Sequence, residues 1–116
     1  MRALFFTLLV FAAGPALAQN AGADAFNDNC AACHGLDSAS NPVAPTLKGV
    51  AGRKIAGLTD FDYSPALKAK GGTWTDANLD AFVKDPQSFA PGSGMPSGEP
   101  DQARRQAIIA YLKSVK

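Results

Sequence analysis

Both cysteines of this chain and its only histidine lie in one stretch, Asn29-Cys30-Ala31-Ala32-Cys33-His34-Gly35. Three chemistries use such a run: a disulfide redox pair, half of a zinc site, and covalent attachment of haem. A thioredoxin-like pair follows a strand and opens a helix, where the dipole stabilises the thiolate. No strand signal precedes Cys30, and the pair closes a helical stretch, the end at which a thiolate is disfavoured. A structural zinc ion takes four ligands, and two Cys with one His leave a carboxylate to complete the set. Neither chemistry explains a histidine directly after the second cysteine. Haem attachment explains every position. Two sulfurs one helical turn apart meet the two vinyl groups of a porphyrin edge, and the next residue carries its imidazole to the iron. Cys30 and Cys33 are expected to form the thioethers of one covalently held haem c, with His34 as the proximal ligand.

The stretch lies close to the start of a chain of 116 residues. Met1-Arg2 supplies a minimal positive region, Ala3 to Gly14 an apolar one, and Ala16-Leu17-Ala18 a small-x-small cleavage pattern. That is the form of a secretory signal. Residues 1–18 are expected to be removed, leaving one exported, periplasmic domain over residues 19–116. Losing Arg2 leaves ten basic residues from the eleven, against ten acidic ones. A formally neutral chain with no basic run excludes nucleic acid or an anionic membrane surface as partner. Much of the apolar content is alanine, so a domain of this size is short of core and calls for a cofactor or crosslink.

No repeat and no alternation of period two appears, so no strands are expected. Helices are expected over residues 20–33 with Asn20 as cap, and over the segment from Ser64, as cap to Pro65, up to Gly71-Gly72. A third runs from Thr75 to Asp85-Pro86 with Leu79, Phe82 and Val83 on one face. The last spans roughly Pro100 to Val115, with Ala103, Ala107, Ile108, Tyr111, Leu112 and Val115 along one stripe. Residues 36–63 and 89–100 carry prolines, glycines and serines without a clear element. Loops this long are unusual in a compact domain unless they wrap a non-protein group.

The iron's second axial ligand is sought by elimination. Within residues 19–116 the only remaining sulfur or imidazole is Met95. A methionine more often fills a gap in a core, but Met95 stands between Pro91-Gly92-Ser93-Gly94 and Pro96-Ser97-Gly98, a setting better suited to ligation. His34/Met95 coordination would occupy both axial positions, pass electrons without a catalytic side chain, and raise the reduction potential.

The segments CAACHG (30–35), APTLKGVAGRKIAG (44–57), FDYS (61–64), GGTWT (71–75), PGSGM (91–95) and IIAYLK (108–113) occur in an order and spacing that resemble the class I c-type cytochromes, the mitochondrial and bacterial c2-like family. The likeness runs almost end to end. It implies an all-α, small class I cytochrome c fold with helices wrapped around one haem. It implies that the Pro45 carbonyl accepts the His34 proton, and that Arg53, Tyr63 and Trp74 donate to a buried propionate. Gly22 and Phe26 would pack against Ile108 and Tyr111. Phe82 stands where the family often has a tyrosine, Ser97 where an aromatic is common, and no lysine ring is present. The resemblance implies a soluble, monomeric electron carrier, not an enzyme, docking transiently on membrane or soluble redox proteins without stable membrane insertion. A haem subunit of a periplasmic dehydrogenase, or a peroxidase or gas-binding protein with a labile Met95, are the competing readings.

Overall fold

The computed structural model describes residues 15–116, with side chains from Asn20 onward. Residues 1–14 of the expected leader therefore lie outside it. Five helices occur among the described residues: α1 (Pro15–Asn29), α2 (Pro65–Lys70), α3 (Asp76–Lys84), α4 (Pro86–Phe89) and α5 (Gln102–Ser114). Strand pairing among the same residues is limited to one isolated antiparallel bridge between Lys54 and Thr73. None of the described helices is long and apolar enough to cross a membrane.

Four of these elements start where their caps dictate. Ser64 accepts the Leu67 amide (3.3 Å), Thr75 the Asn78 amide (3.1 Å) and Asp101 the Arg104 amide (2.9 Å). Each side-chain oxygen satisfies a donor that the first helical turn leaves unpaired. Asp85 does double work. Its own amide donates to Ala81 and ends α3, while its carboxylate accepts the Ser88 amide and hydroxyl and begins α4. The sequence reading took Asp85-Pro86 only as a stop. The same pair is a cap followed by proline at the first helical position, and it restarts the chain as α4.

α1 differs from expectation at both ends. Its helix already runs through Asn20 from Pro15, because Ala16, Leu17 and Ala18 are strong helix formers and Asn20 is not needed as a cap. It stops at Asn29, whose side chain donates to the Ala25 carbonyl (2.9 Å), instead of reaching residue 33. In α5 the buried residues are Arg105, Ile108, Ile109 and Leu112. Ala103, placed on the inner stripe from spacing, is exposed.

α1 packs on α5, and α3 on both α4 and α5. The α1–α5 crossing is tight at Gly22. A Cβ there would stand 2.6 Å from the Tyr111 Cβ and collide with the Ala107 carbonyl. Phe26 meets the Tyr111 ring at 5.6 Å between centroids, and Ile108 is fully buried beside them. The Gly22 partners are thus Tyr111, as expected, and Ala107, the neighbour in sequence of the expected Ile108. A second cluster stacks Trp74 on Phe89 (5.8 Å) and sets both against Phe82 (5.2 and 5.5 Å).

Residues 36–63 have no helix, as the sequence implied, and their polar groups are met by loop partners. Asp60 accepts from the Ser40 amide and hydroxyl, both at 2.8 Å. Leu47 donates to the Gly35 carbonyl (3.0 Å), and Gly49 to the Val115 carbonyl (2.9 Å). Residues 52–55 pair with 72–74 through Gly52 to Trp74 (2.8 Å), Trp74 to Arg53 (2.8 Å) and Ile55 to Gly72 (3.0 Å).

Two outcomes follow. Gly22→Ala should destabilise the haem-loaded protein by about 1–3 kcal/mol in denaturant unfolding, although alanine is the better helix former by about 1 kcal/mol. The colliding atoms belong to backbone and Cβ, which cannot swing aside. Asp60→Asn should lower stability at neutral pH, and the gap to the parent should close on acidification. The Ser40 donors lower the Asp60 pKa from 3.8. Its contribution is therefore complete above that value and lost as pH falls through the lower folded one. Denaturant midpoints of the two proteins across that range check the sign.

Candidate haem site

The Cys30–His34 segment is a tight turn that leaves the end of α1. Cys30 and Ala31 both donate to the Phe26 carbonyl (2.7 and 3.0 Å), and Cys33 and His34 both donate to the Cys30 carbonyl (3.1 and 2.9 Å). These bonds gather the two thiols and the imidazole on one bend of backbone. Cys30 belongs to the hydrophobic core, while Cys33 is exposed. Burial, aided by the Glu99 charge, pushes the Cys30 thiol up to about 11. A thiol held in that state is a poor redox nucleophile. Among the described residues no group of three or more His, Cys, Asp or Glu is placed to hold a metal, so a zinc site lacks its ligands.

His34 is oriented from behind. Its Nδ1 donates to the Pro45 carbonyl at 2.8 Å, which leaves Nε2 as the nitrogen with a free lone pair. Burial lowers the imidazole pKa, with the Arg53 charge adding to the effect and the Pro45 bond opposing it. A neutral ring is the form that ligates iron. Asn41 locks the Pro45 loop onto the cysteine turn. Its Nδ2 donates to the Cys33 carbonyl (2.8 Å), and its Oδ1 accepts the Val43 and Ala44 amides (2.8 and 2.9 Å).

Met95 reaches the structure on a separate loop between α4 and α5, half-buried. Gln87 of α4 clips that loop: its Nε2 donates to the Ser93 and Met95 carbonyls (2.8 and 2.9 Å), and its Oε1 accepts the Gly92 amide (3.1 Å). The far end returns to the core. Glu99 donates its amide to Val83 (2.7 Å), and a Cβ on Gly98 would run into the Val83 carbonyl. Buried Arg105 ties this return to two helices, donating to the Glu99 and Pro100 carbonyls (3.2 and 2.7 Å) and pairing with Asp80 at 2.9 Å. None of Asn41, Gln87 or Arg105 was singled out from sequence. An arginine on the helical stripe was the one signal present, since Arg105 lies three residues before Ile108 and one turn before Ile109.

Arg53 offers a test of whether a propionate-bearing group fits. Its two terminal nitrogens donate to the Lys48 and Thr46 carbonyls (3.2 and 3.0 Å). Its Nε is buried without a partner, alone among buried side-chain polar atoms of the described residues. Burial pulls the guanidinium pKa down, opposed by adjacent Tyr63 and Asp60. A partly desolvated cation with an unspent donor calls for an anion. Tyr63 and Trp74, both buried, complete the set expected around a propionate. The residues fit the group.

With this geometry in place, comparison with known proteins is decisive. A family model described as Cytochrome c matches residues 19–116. A cytochrome c from Tetrahymena pyriformis is 44% identical over 97 residues, covering 83% of this chain and 87% of its own length. A cytochrome c2 from Rhodospirillum rubrum is 38% identical over 125 residues, covering 96% of this chain and 93% of its own. Among solved structures, cytochrome cH from Methylobacterium extorquens superimposes with a TM-score of 0.75 at 41% identity, covering 83% of this chain and 97% of that one. The chain belongs to the cytochrome c family: it is an all-α class I c-type cytochrome, an electron-transfer protein with a covalently bound c-type haem.

Proposed function

We propose that this protein is a soluble periplasmic carrier of single electrons, exported by a signal cleaved after Ala18. In this reading Cys30 and Cys33 hold the haem, and His34 and Met95 are its two axial ligands. The observation that carries the reading is the 2.8 Å bond from His34 Nδ1 to the Pro45 carbonyl, which presents Nε2 on the same bend as both thiols. The family model's start at residue 19 supports the domain boundary. The bound haem supplies the change of iron oxidation state. Everything else is done by the chain's own groups.

The Pro45 carbonyl sets the tautomer and makes the imidazole a better donor. Burial keeps the ring neutral when no metal holds it. The Met95 thioether favours the reduced state and raises the potential. Gln87 and Arg105 hold the methionine loop at its two ends. Arg53, Tyr63 and Trp74 keep a propionate charged away from water. No residue is needed as acid, base or nucleophile, which supports a carrier over an enzyme. The chain would act as a monomer and meet membrane or soluble redox proteins by brief contacts of small area.

Two variants test the ligand set. Met95→Ala should abolish the weak red absorbance band of ferric iron bound to a thioether, and should let carbon monoxide bind the reduced protein rapidly; a retained band would refute the assignment. Gln87→Ala should keep the band and most of the stability, since the side chain is exposed. It should nevertheless speed carbon monoxide binding by about tenfold, the effect of removing roughly 1.4 kcal/mol of loop restraint, close to the net worth of one good hydrogen bond. Stopped-flow mixing of the reduced variant with carbon monoxide gives the rate. Equally slow binding in parent and variant would show that Gln87 does not restrain the loop.

A further inference from the structure

Glu99 is the one buried carboxylate among the described residues, 8% exposed. It stands where the Met95 loop returns to the core, its amide bound to the Val83 carbonyl (2.7 Å). Its Oε1 accepts the Asp101 amide at 3.2 Å. Arg104 Nε lies 3.7 Å from the same oxygen, too far for a good hydrogen bond, and its Nη2 turns to Asp28 of α1 (3.3 Å). The buried Arg105 guanidinium engages only the backbone here. It donates to the Glu99 and Pro100 carbonyls and pairs with Asp80.

Arg104 fixes where this charge lies. One guanidinium reaches both Glu99 and Asp28, and Asp28 is two residues before Cys30. The carboxylate therefore faces the end of α1, from which Cys30 enters the core. Burial first, and the Glu99 charge second, push the Cys30 thiol up to about 11, so the field of the carboxylate reaches that sulfur. The charges gathered here do not balance. The carboxylates of Asp28, Asp80, Glu99 and Asp101 meet only the guanidiniums of Arg104 and Arg105, four against two. Water screens Asp28 and Asp101, both exposed, and Asp80 is half-buried and paired with Arg105. Glu99 is screened least.

We infer that the Glu99 carboxylate sets the carrier's reduction potential, holding it below the value that His34 and Met95 alone would give. The inference rests on the ligand reading above, in which Cys30 carries the haem. Ferric iron has one positive charge more than ferrous iron, so a fixed anion in a poorly screened place favours the ferric state. Reduction adds one electron from the redox partner, and Glu99 itself neither gains nor loses one. Structure alone does not ask for this charge. The Asp101 amide needs an acceptor oxygen, which a glutamine would supply equally, and burying an ion costs free energy that a neutral side chain avoids. The Met95 thioether raises the potential, and Glu99, four residues further along, opposes it.

The experiment is a spectroelectrochemical titration of the haem-loaded protein near neutral pH. Glu99→Gln should favour the reduced form by at least about twofold, a rise of about 18 mV at about 59 mV per tenfold for one electron, with the red band kept. Asp28→Asn removes an exposed charge near the same helix end and should move the potential less. Arg104→Gln, on an exposed side chain that folding tolerates, removes a positive charge and should lower the potential at about 10 mM NaCl. A smaller or downward shift in Glu99→Gln would overturn the proposal. So would an equal or larger shift in Asp28→Asn, or no fall in Arg104→Gln, since the charge of Glu99 would then not be the cause. A Glu99→Gln chain that fails to fold leaves the Arg104→Gln potential to decide. Absence of the red band in the unsubstituted protein would instead sink the ligand reading, which separates the two failures.

Discussion

The close approach of α1 and α5 governs where the chemistry can sit. At Gly22 the two backbones come nearer than any side chain would allow, with the Ala107 carbonyl and Tyr111 Cβ filling the space a methyl would need. Cys30 lies eight residues further along, about 12 Å at helical rise. The crossing therefore delivers the end of α1 to the core formed by Ile108, Ile109 and Leu112. One thiol enters that core and the other stays outside because the chain bends at Asn29. Widening the crossing would move the bend, and the imidazole with it.

From that anchor, the irregular loops are positioned by single polar clips instead of by periodic structure. Asn41 fastens the Pro45 loop to Cys33, Asp60 fastens Ser40, Gln87 fastens the Met95 loop, and Arg105 fastens its return. Backbone without a helix or sheet ladder has to find partners one by one. Here side chains reaching a few residues along or across a loop share that work with backbone partners such as Gly35 for Leu47 and Val115 for Gly49. A group that changes charge with each electron is well served by such a scaffold, because ligands fixed in advance need not rearrange.

Charge is distributed with the same economy. Arg105 is buried and paired with Asp80, Arg53 is half-buried with one buried donor in reserve, and Lys68, Lys113 and Lys70 are paired or folded back on the surface. Residues 29–36 and 86–98 carry no charged residue themselves, with Asp28 and Asp37 flanking the first and Asp85 and Glu99 the second.

Much of this was legible in one dimension. The Cys-x-x-Cys-His spacing, the caps Ser64 and Thr75, the proline at 65 and the apolar period of α5 are local. Local rules for dihedrals, capping and side-chain reach already constrain them. Long-range partners are different. That Gln87 would clip Met95 depends on α4 forming, and α4 depends on Asp85 serving two helices at once. That Arg105 would be buried depends on where the Glu99-Pro100 carbonyls return. The Asn20 cap and the inner place of Ala103 failed for the same reason: periodicity and propensity describe a helix in isolation, whereas its true limits and inner face are set by what packs against it. The types of chemistry available were written in the residues, and their assembly into one site came from contacts between segments far apart in the chain.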